Sequence, residues 1–524
     1  MIDFSELKLV RDKQDNFVGI RKSKSGDGFE FCLPNGFNDF PEKENFDKVR
    51  DLFFKMYRTL RKFERDNEHT NRFKKNKPEY QQEQDQTTLS SGGISIETED
   101  GESCVLYSKL RMIERVLEAY DDLAINSIQN KKRRSEEIDY SQIHKYLDRA
   151  IYLDNHDNHV IYVEAMDLPR LMVRYDSTDI VNLYCYILDE IVQQLDGDVP
   201  DNIQAHSQDI RFLAQCFKDD YLTSSQSIFD KDTFVETINI LKEALDNIDK
   251  NTYYKDTDYW GLYEAIETFL YGELNPDQND GEFWGIQSFS LVWEDMCHTY
   301  FFKKYDDSIC FADADIPLKG DPNPARQGEE QNRVGNYKYS TDGEAKYGNQ
   351  WIYRQPSHIP YPKKEGFFGW DELLCIEFDT QPGTLVYSNR NYDDFQKRDR
   401  SKAMRRFPRP DLVLKFKSTS QIVFELYVID YKDVSIDFYY RNLNLPPERT
   451  DEKYRVDIRK QLTYEFALQQ TPKVQVSENW FLIPHYYHNE FISQDFEVEL
   501  IIKGIKIVKA NFFRIQQTYL DDNK

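Results

Sequence analysis

The sequence predicts a mixed α/β protein, α+β in its distribution. A C-terminal α/β domain is preceded by a small β-containing N-terminal region and a mainly helical domain. Three observations predict this. From Leu373 onward, short and strongly apolar β-type runs alternate with one clear helical repeat. Across residues 178–270, apolar side chains recur at helical spacing in successive segments. Near the N-terminus, two short apolar runs flank the turn Ser25-Gly26-Asp27-Gly28, the pattern of a hairpin.

The elements follow in order. Phe17–Ile20 and Phe29–Leu33 pair across that turn, and Pro34-Asn35-Gly36 ends the hairpin. Phe46, Val49, Phe53, Met56, Leu60 and Phe63 predict a helix over 45–66, so residues 1–66 form a hairpin-and-helix region. Residues 67–103 have almost no core-forming side chains and read as a flexible polar insertion. Residues 104–280 read as the helical domain. One helix is expected from about Val105 to Ile128 and another near Tyr140–Tyr152. Beyond these, Ile180, Leu183, Ile187 and Ile191 form one stripe, Phe234, Ile238, Leu241 and Leu245 a second, and Leu262, Ile266 and Phe269 a third. The group Asp154, His156, Asp157 and His159 reads as a solvated turn and not a metal site. Residues 281–524 form the C-terminal domain, interrupted at about 306–370 by a Pro-, Gly- and charge-rich insertion.

Composition narrows the function. The formal net charge of -25 disfavours nucleic-acid binding by the surface at large, because like charges repel over a Debye length. An enzyme that takes positive charge from metal ions or from a basic partner remains compatible. Aromatic residues make up 15% of the chain, with 35 Tyr and 35 Phe, so the core is expected to be aromatic. The seven cysteines include no C-x-x-C pair and no His at zinc-finger spacing, which fits free thiols in a reducing compartment. The start of the chain lacks a basic, apolar leader, and no run approaches the roughly 18–20 apolar residues of a membrane span. A cytoplasmic protein without membrane contact is expected.

One constellation carries chemistry. Arg409-Pro410-Asp411 opens the apolar run 412–416, a polar turn follows, and the run 421–429 ends in Asp430-Tyr431-Lys432. Residues two apart on a strand share a face, so Asp430 and Lys432 project together. In an antiparallel hairpin the start of one strand lies beside the end of the next, which brings Asp411 to the same place. Two carboxylates suit a hard cation. Asp411 and Asp430 would ligate it, aided by the Tyr431 carbonyl, and Lys432 would orient the attacking water or stabilise charge on a phosphorane. The D/E-x-K pattern alone is nearly uninformative, since Glu6-Leu7-Lys8 and Asp451-Glu452-Lys453 fit it too. The weight rests on Pro-Asp at a strand start, a turn, and Asp-x-Lys closing an apolar strand. Upstream, residues 289–302 read as a buried helix carrying Glu294, and a buried acid needs a partner or a metal. Downstream, Asp451–Gln469 is a helix whose core stripe is Tyr454, Ile458, Leu462 and Phe466, with Asp457, Gln461 and Tyr464 on an adjoining face. Residues 479–484 form a further buried strand.

The order helix with Glu294, strand with Asp411, strand with Asp430 and Lys432, helix, strand resembles the αβββαβ core of the PD-(D/E)xK nuclease superfamily. Val292–Met296, Arg409-Pro410-Asp411 and Ile458–Glu465 look like the LlaJI-type restriction endonucleases, relatives of McrC. The phrases Phe17–Ile20 and Leu33–Phe37 look like that group more weakly. The specific resemblance covers about 288–305 and 405–485. It implies a Mg²⁺-dependent (or Mn²⁺-dependent) DNA endonuclease subunit of a restriction or phage-defence system. Glu294, Asp411, Asp430, Lys432 and Gln461 would be catalytic, with Tyr464 beside Gln461. Asp411, Asp430, Tyr431 and Glu294 would hold the metal. Tyr431 departs from the small residue such relatives often carry there. The resemblance also implies an AAA+ McrB-like GTPase partner, because this chain has no G-x-x-x-x-G-K-[ST] loop. A homodimer or higher assembly is compatible with cutting both strands.

Two other readings stay open. The chain could be a non-catalytic binding or regulatory subunit, its acids paired by Lys432 or by Arg405, Arg406 and Arg409. It could equally be a transposition or repair nuclease on the same core.

Overall fold

The computed structural model describes residues 3–4, 7–11, 16–23, 28–41, 46–68, 90–91, 93–97, 103–130, 135–138, 150–155, 158–163, 170–173, 178–252, 255–272, 283–305, 308–312, 376–378, 385–387, 410–417, 424–446, 448–469, 474–488 and 494–523. These residues form 12 helices and two six-stranded mixed sheets. The chain divides into two compact units, residues 112–273 and residues 2–111 together with 274–524.

The first sheet of the larger unit contains β1 (Lys8–Val10), β2 (Val18–Lys22), β3 (Phe29–Cys32), β4 (Ile94–Glu97), β5 (Ser103–Tyr107) and β6 (Phe283–Ile286). Its order is β1-β3-β2-β6-β5-β4. The expected hairpin is β2 against β3. Strand β6 enters from the middle of the sequence, more than 250 residues on, and pairs with β2. There Gly19 and Gly285 face each other with φ of +139° and +138°. A Cβ on Gly19 would stand 2.0 Å from the Trp284 carbonyl oxygen, so only glycine lets these backbones meet. Helix α1 (Phe46–Asn67) buries Phe53 and Tyr57 on this sheet, with ring centroids 5.1 and 6.1 Å from Trp284.

This sheet corrects two expectations. Residues 94–97, placed in the polar insertion, are strand. Residues 103–107 are strand where a helix was expected to begin, and the helix starts only at Arg111. Ile96 and Leu106 are fully buried. Only Ile96 sits between polar neighbours, and the sheet that buries both residues is completed by the distant β6. Residues 69–89 of the insertion lie outside the described residues.

The smaller unit is helical, with α2 (Arg111–Glu118), α3 (Asp122–Asn130), α4 (Thr178–Leu195), α5 (Asp201–Ala205), α6 (Ser207–Tyr221), α7 (Phe234–Asn251) and α8 (Thr257–Tyr271). Helix α4 is buried at every position from Ile180 to Ile191 except Asn182, with Asp189 and Glu190 among the buried residues. Two antiparallel strand pairs join the helices, 150–155 with 158–163 and 135–138 with 170–173. Ala150–Tyr152 is thus strand, not the end of a helix. Residues 140–149 of that expected helix lie outside the described residues, as do His156 and Asp157.

The second sheet of the larger unit contains β7 (Ile309–Ala312), β8 (Leu412–Lys417), β9 (Phe424–Tyr431), β10 (Val474–His485), β11 (Phe496–Ile502) and β12 (Ile505–Asn511), in the order β7-β8-β9-β10-β12-β11. Strand β8 runs antiparallel to both β7 and β9. Strands β9, β10 and β12 are parallel to one another, and β11 is antiparallel to β12. Strand β7 lies within the segment expected to be a loop, of which residues 313–370 are outside the described residues. Four helices accompany the sheet: α9 (Phe289–Tyr305), α10 (Ile436–Leu443), α11 (Glu452–Gln469) and α12 (Phe512–Leu520). Val434, Tyr439, Tyr454 and Ile458 pack against Phe481, Ile483, Ile502, Ile505 and Ile507 to form one core layer. Elsewhere Trp293 of α9 stacks on Phe512 at 5.9 Å, and Phe301 stacks on Phe496 at 5.6 Å.

The N-terminal region shares this core. Phe37 lies 4.9 Å from Phe512 and 5.3 Å from Tyr486. Gln516 Nε2 donates to Thr59 Oγ1 (3.1 Å), and Asn67 Nδ2 donates to the buried Asp295 carboxylate (2.8 Å).

Helix α11 turns a different face inward from the expected one. Tyr454 and Ile458 are buried, but Phe466 is 57% exposed, while Asp457, Gln461, Tyr464 and Leu468 are buried. A strict four-residue repeat drifts about 40° per step around a helix of 3.6 residues per turn. By Phe466 the stripe has therefore rotated away from the sheet.

Candidate active site

The site is built where β8 begins and β9 ends. Leu412 pairs with Ile429 in antiparallel register, which sets Asp411 opposite Asp430. Directly opposed residues of an antiparallel pair share a face, and like charges there are destabilising unless something offsets them. Burial, then Asp430 and Glu294, push the Asp411 carboxyl well above the usual aspartate range, with Lys432 opposing. Asp411 Oδ2 also accepts the Tyr431 backbone N–H, and His298 Nε2 lies 3.1 Å from the Asp411 carbonyl oxygen.

Lys432 follows β9 directly. Its N–H donates to the Leu482 carbonyl (2.9 Å), continuing the parallel ladder with β10. Its Nζ lies 2.6 Å from Asp430 Oδ2 and 3.3 Å from Asp457 Oδ1. Burial alone would lower the ammonium, but Asp430, Asp457 and Asp411 hold it well above the usual lysine value. Alternation along the strand separates the neighbours. Asp430 and Lys432 turn towards α11, while the Tyr431 ring sits 4.9 Å from His298 and 6.2 Å from Phe301 on α9.

The five candidate residues are thus placed as follows. Asp411, Asp430 and Lys432 come together. Glu294 is half-buried on α9, and its charge adds to the burial that raises the Asp411 carboxyl, the Tyr431 phenol and the Cys297 thiol. Gln461 is fully buried, but its amide Nε2 donates to the carbonyls of Val428 (3.4 Å) and Trp480 (3.2 Å) and to Asn479 Oδ1 (2.6 Å). It bridges β9 and β10. Tyr431 meets the acids through its N–H. Arg405, Arg406 and Arg409 lie outside the described residues.

Sequence reasoning missed three participants. His298 stands four residues after Glu294, one helical turn along α9, so its face was readable. Asp457 was assigned to a face but to no partner. Asn35 donates to the Asp433 carboxylate (2.9 Å) and carbonyl (3.0 Å), while Gly36 accepts the Tyr486 N–H (3.0 Å). The Pro-Asn-Gly turn therefore abuts the ends of β9 and β10. No residue pattern links position 35 with position 433.

Among the described residues, no three His, Cys, Asp or Glu side chains stand together as a ready metal cage. A Mg²⁺ ion is commonly held by one or two carboxylates, waters and substrate phosphates, and Asp411 with Asp430 offers that donor set. The crowding that raises the Asp411 carboxyl is the kind a divalent cation relieves. No described helix is long and apolar enough to cross a membrane. No family model, curated protein or solved structure matches this chain.

Proposed function

We propose that the protein is a Mg²⁺-dependent DNA endonuclease subunit of the PD-(D/E)xK class, acting in restriction or phage defence with an AAA+ GTPase partner. The observation that carries the reading is the convergence of Asp411, Asp430 and Lys432 at the shared end of β8 and β9. Supporting it, α9, β7, β8, β9, α11 and β10 occur along the chain in the order αβββαβ, interrupted by a separate strand pair (376–378 with 385–387) between β7 and β8 and by the short α10 between β9 and α11. The site also lies at the carboxyl ends of the parallel strands β9 and β10, where open α/β sheets bind ligands.

Asp411 and Asp430 would hold the cation, and Lys432 would neutralise charge on the scissile phosphate. When bound, Mg²⁺ polarises a phosphate oxygen and lowers the pKa of a coordinated water. Gln461 keeps β9 and β10 in register beneath them. The charge of -25 leaves the DNA grip to a partner. A second reading, a non-catalytic subunit on the same fold, is favoured by the Lys432–Asp430 contact, which pairs these charges without a metal.

A cleavage assay decides between them. Full-length protein, with and without a co-purified GTPase, should cut DNA in Mg²⁺ and not in EDTA. Asp411→Asn should reduce cutting below detection, and Lys432→Ala should slow it by about 10²–10³-fold, the usual cost of removing a group that stabilises transition-state charge. Cutting by Asp411→Asn at the wild-type rate sinks the proposal.

A further inference from the structure

Two acids claim Lys432, and only one of them is a proposed metal ligand. Lys432 Nζ sits 2.6 Å from Asp430 Oδ2 and 3.3 Å from Asp457 Oδ1, and both carboxylates are buried. Asp457 Oδ2 is buried with no hydrogen-bond partner, so this acid has accepting capacity to spare. It lies on α11 one turn before Gln461, whose amide fixes the helix to the backbones of Val428 and Trp480. A cation on Asp430 competes with the ammonium for the same oxygens and repels it. A buried ammonium without an anion is costly, so Lys432 needs a second carboxylate in place before the first is given up.

Resting on the nuclease reading above, we infer that Asp457 is a positioning residue: it takes over the Lys432 ammonium and so releases Asp430 to bind the catalytic cation. Asp457 touches neither the cation nor the substrate. Its effect on metal binding runs wholly through Lys432.

The test is Mn²⁺ binding to the full-length protein by electron paramagnetic resonance, counting the site lost in Asp411→Ala. Asp457→Asn should weaken that site about tenfold, as removal of a supporting partner commonly does, and Asp457→Glu should restore it. In a Lys432→Met background, adding Asp457→Asn should change the affinity by no more than about twofold. Wild-type affinity in Asp457→Asn overturns the inference. So does a Lys432→Met pair that differs as much as wild type and Asp457→Asn do, because Asp457 would then act on the cation directly. Should Asp457→Asn fail to fold, the Lys432→Met pair decides, since it removes the buried ion pair as a unit. Absence of any site lost in Asp411→Ala overturns the metal reading as well, which separates the two failures.

Discussion

Gln461, expected at the chemistry, spends its amide nitrogen on the strands beneath the site. Its amide nitrogen reaches two carbonyls on adjacent strands and the Asn479 side chain, and Asn479 in turn donates to Glu465 (2.7 Å). Removing one partner from a buried network leaves acceptors unsatisfied, at roughly 1–3 kcal/mol. Gln461→Ala should therefore lower stability by about that amount in urea titrations followed by tryptophan fluorescence, with any loss of cleavage following from the strand shift. Full stability with cleavage abolished would return Gln461 to the catalytic group. The opposite holds for Asp430 and Lys432, whose side chains were expected together and lie in ion contact.

At the scale of the element, α11 makes a sharp contrast. Leu468 is buried and Phe466 exposed, although the four-residue repeat puts Phe466 in the stripe and leaves Leu468 out. Leu468→Ala should cost about 2–5 kcal/mol, the range for deleting buried methyl groups. Phe466→Ser should stay within about 0.5 kcal/mol, as surface changes do. Comparing thermal midpoints of the two variants checks this, and the reverse order would mean that α11 is rotated from the face described. The strand pair β8–β9 is the element where local pattern sufficed. Two apolar runs, a polar turn and period-two alternation define the register, and register sets Asp411 opposite Asp430. Strands β4 and β5 pair with each other locally, but they join the sheet only where β5 meets β6 at 283–286, a partner no local pattern announces.

Across the whole molecule, Asp495 ties distant segments of the larger unit. It accepts from Tyr300 (2.7 Å), Lys304 (2.9 Å) and Arg514 (2.6 Å), joining α9 and α12 at the start of β11. Burial would raise its carboxyl, but hydrogen bonds from Lys304, Tyr300 and Arg514 bring it down to about 2. An unfolded aspartate titrates near ~3.9. The folded value is the lower one, so the carboxylate's stabilisation is fully present above about pH 4 and is lost as pH falls towards 2. Wild type should thus exceed Asp495→Asn in thermal midpoint at pH 6, and the gap should close by about pH 2. A gap independent of pH would assign the stabilisation to packing. Such a link, from position 300 to 495 to 514, has no signature in local sequence.

What depends on near neighbours was legible along the chain: the N-terminal hairpin, α1, the helical segments between 178 and 270, and the meeting of Asp411, Asp430 and Lys432 across one turn. Strand and helix periodicities are local, and a hairpin converts local register into side-chain proximity. Packing between distant segments brings Phe37 and Thr59 into the core with Phe512 and Gln516, sets β6 between β2 and β5 in one sheet, and turns Asp457 towards Lys432. Each of those depends on which surfaces pack together, and packing is settled by burial summed over the whole unit, which no window of the chain contains.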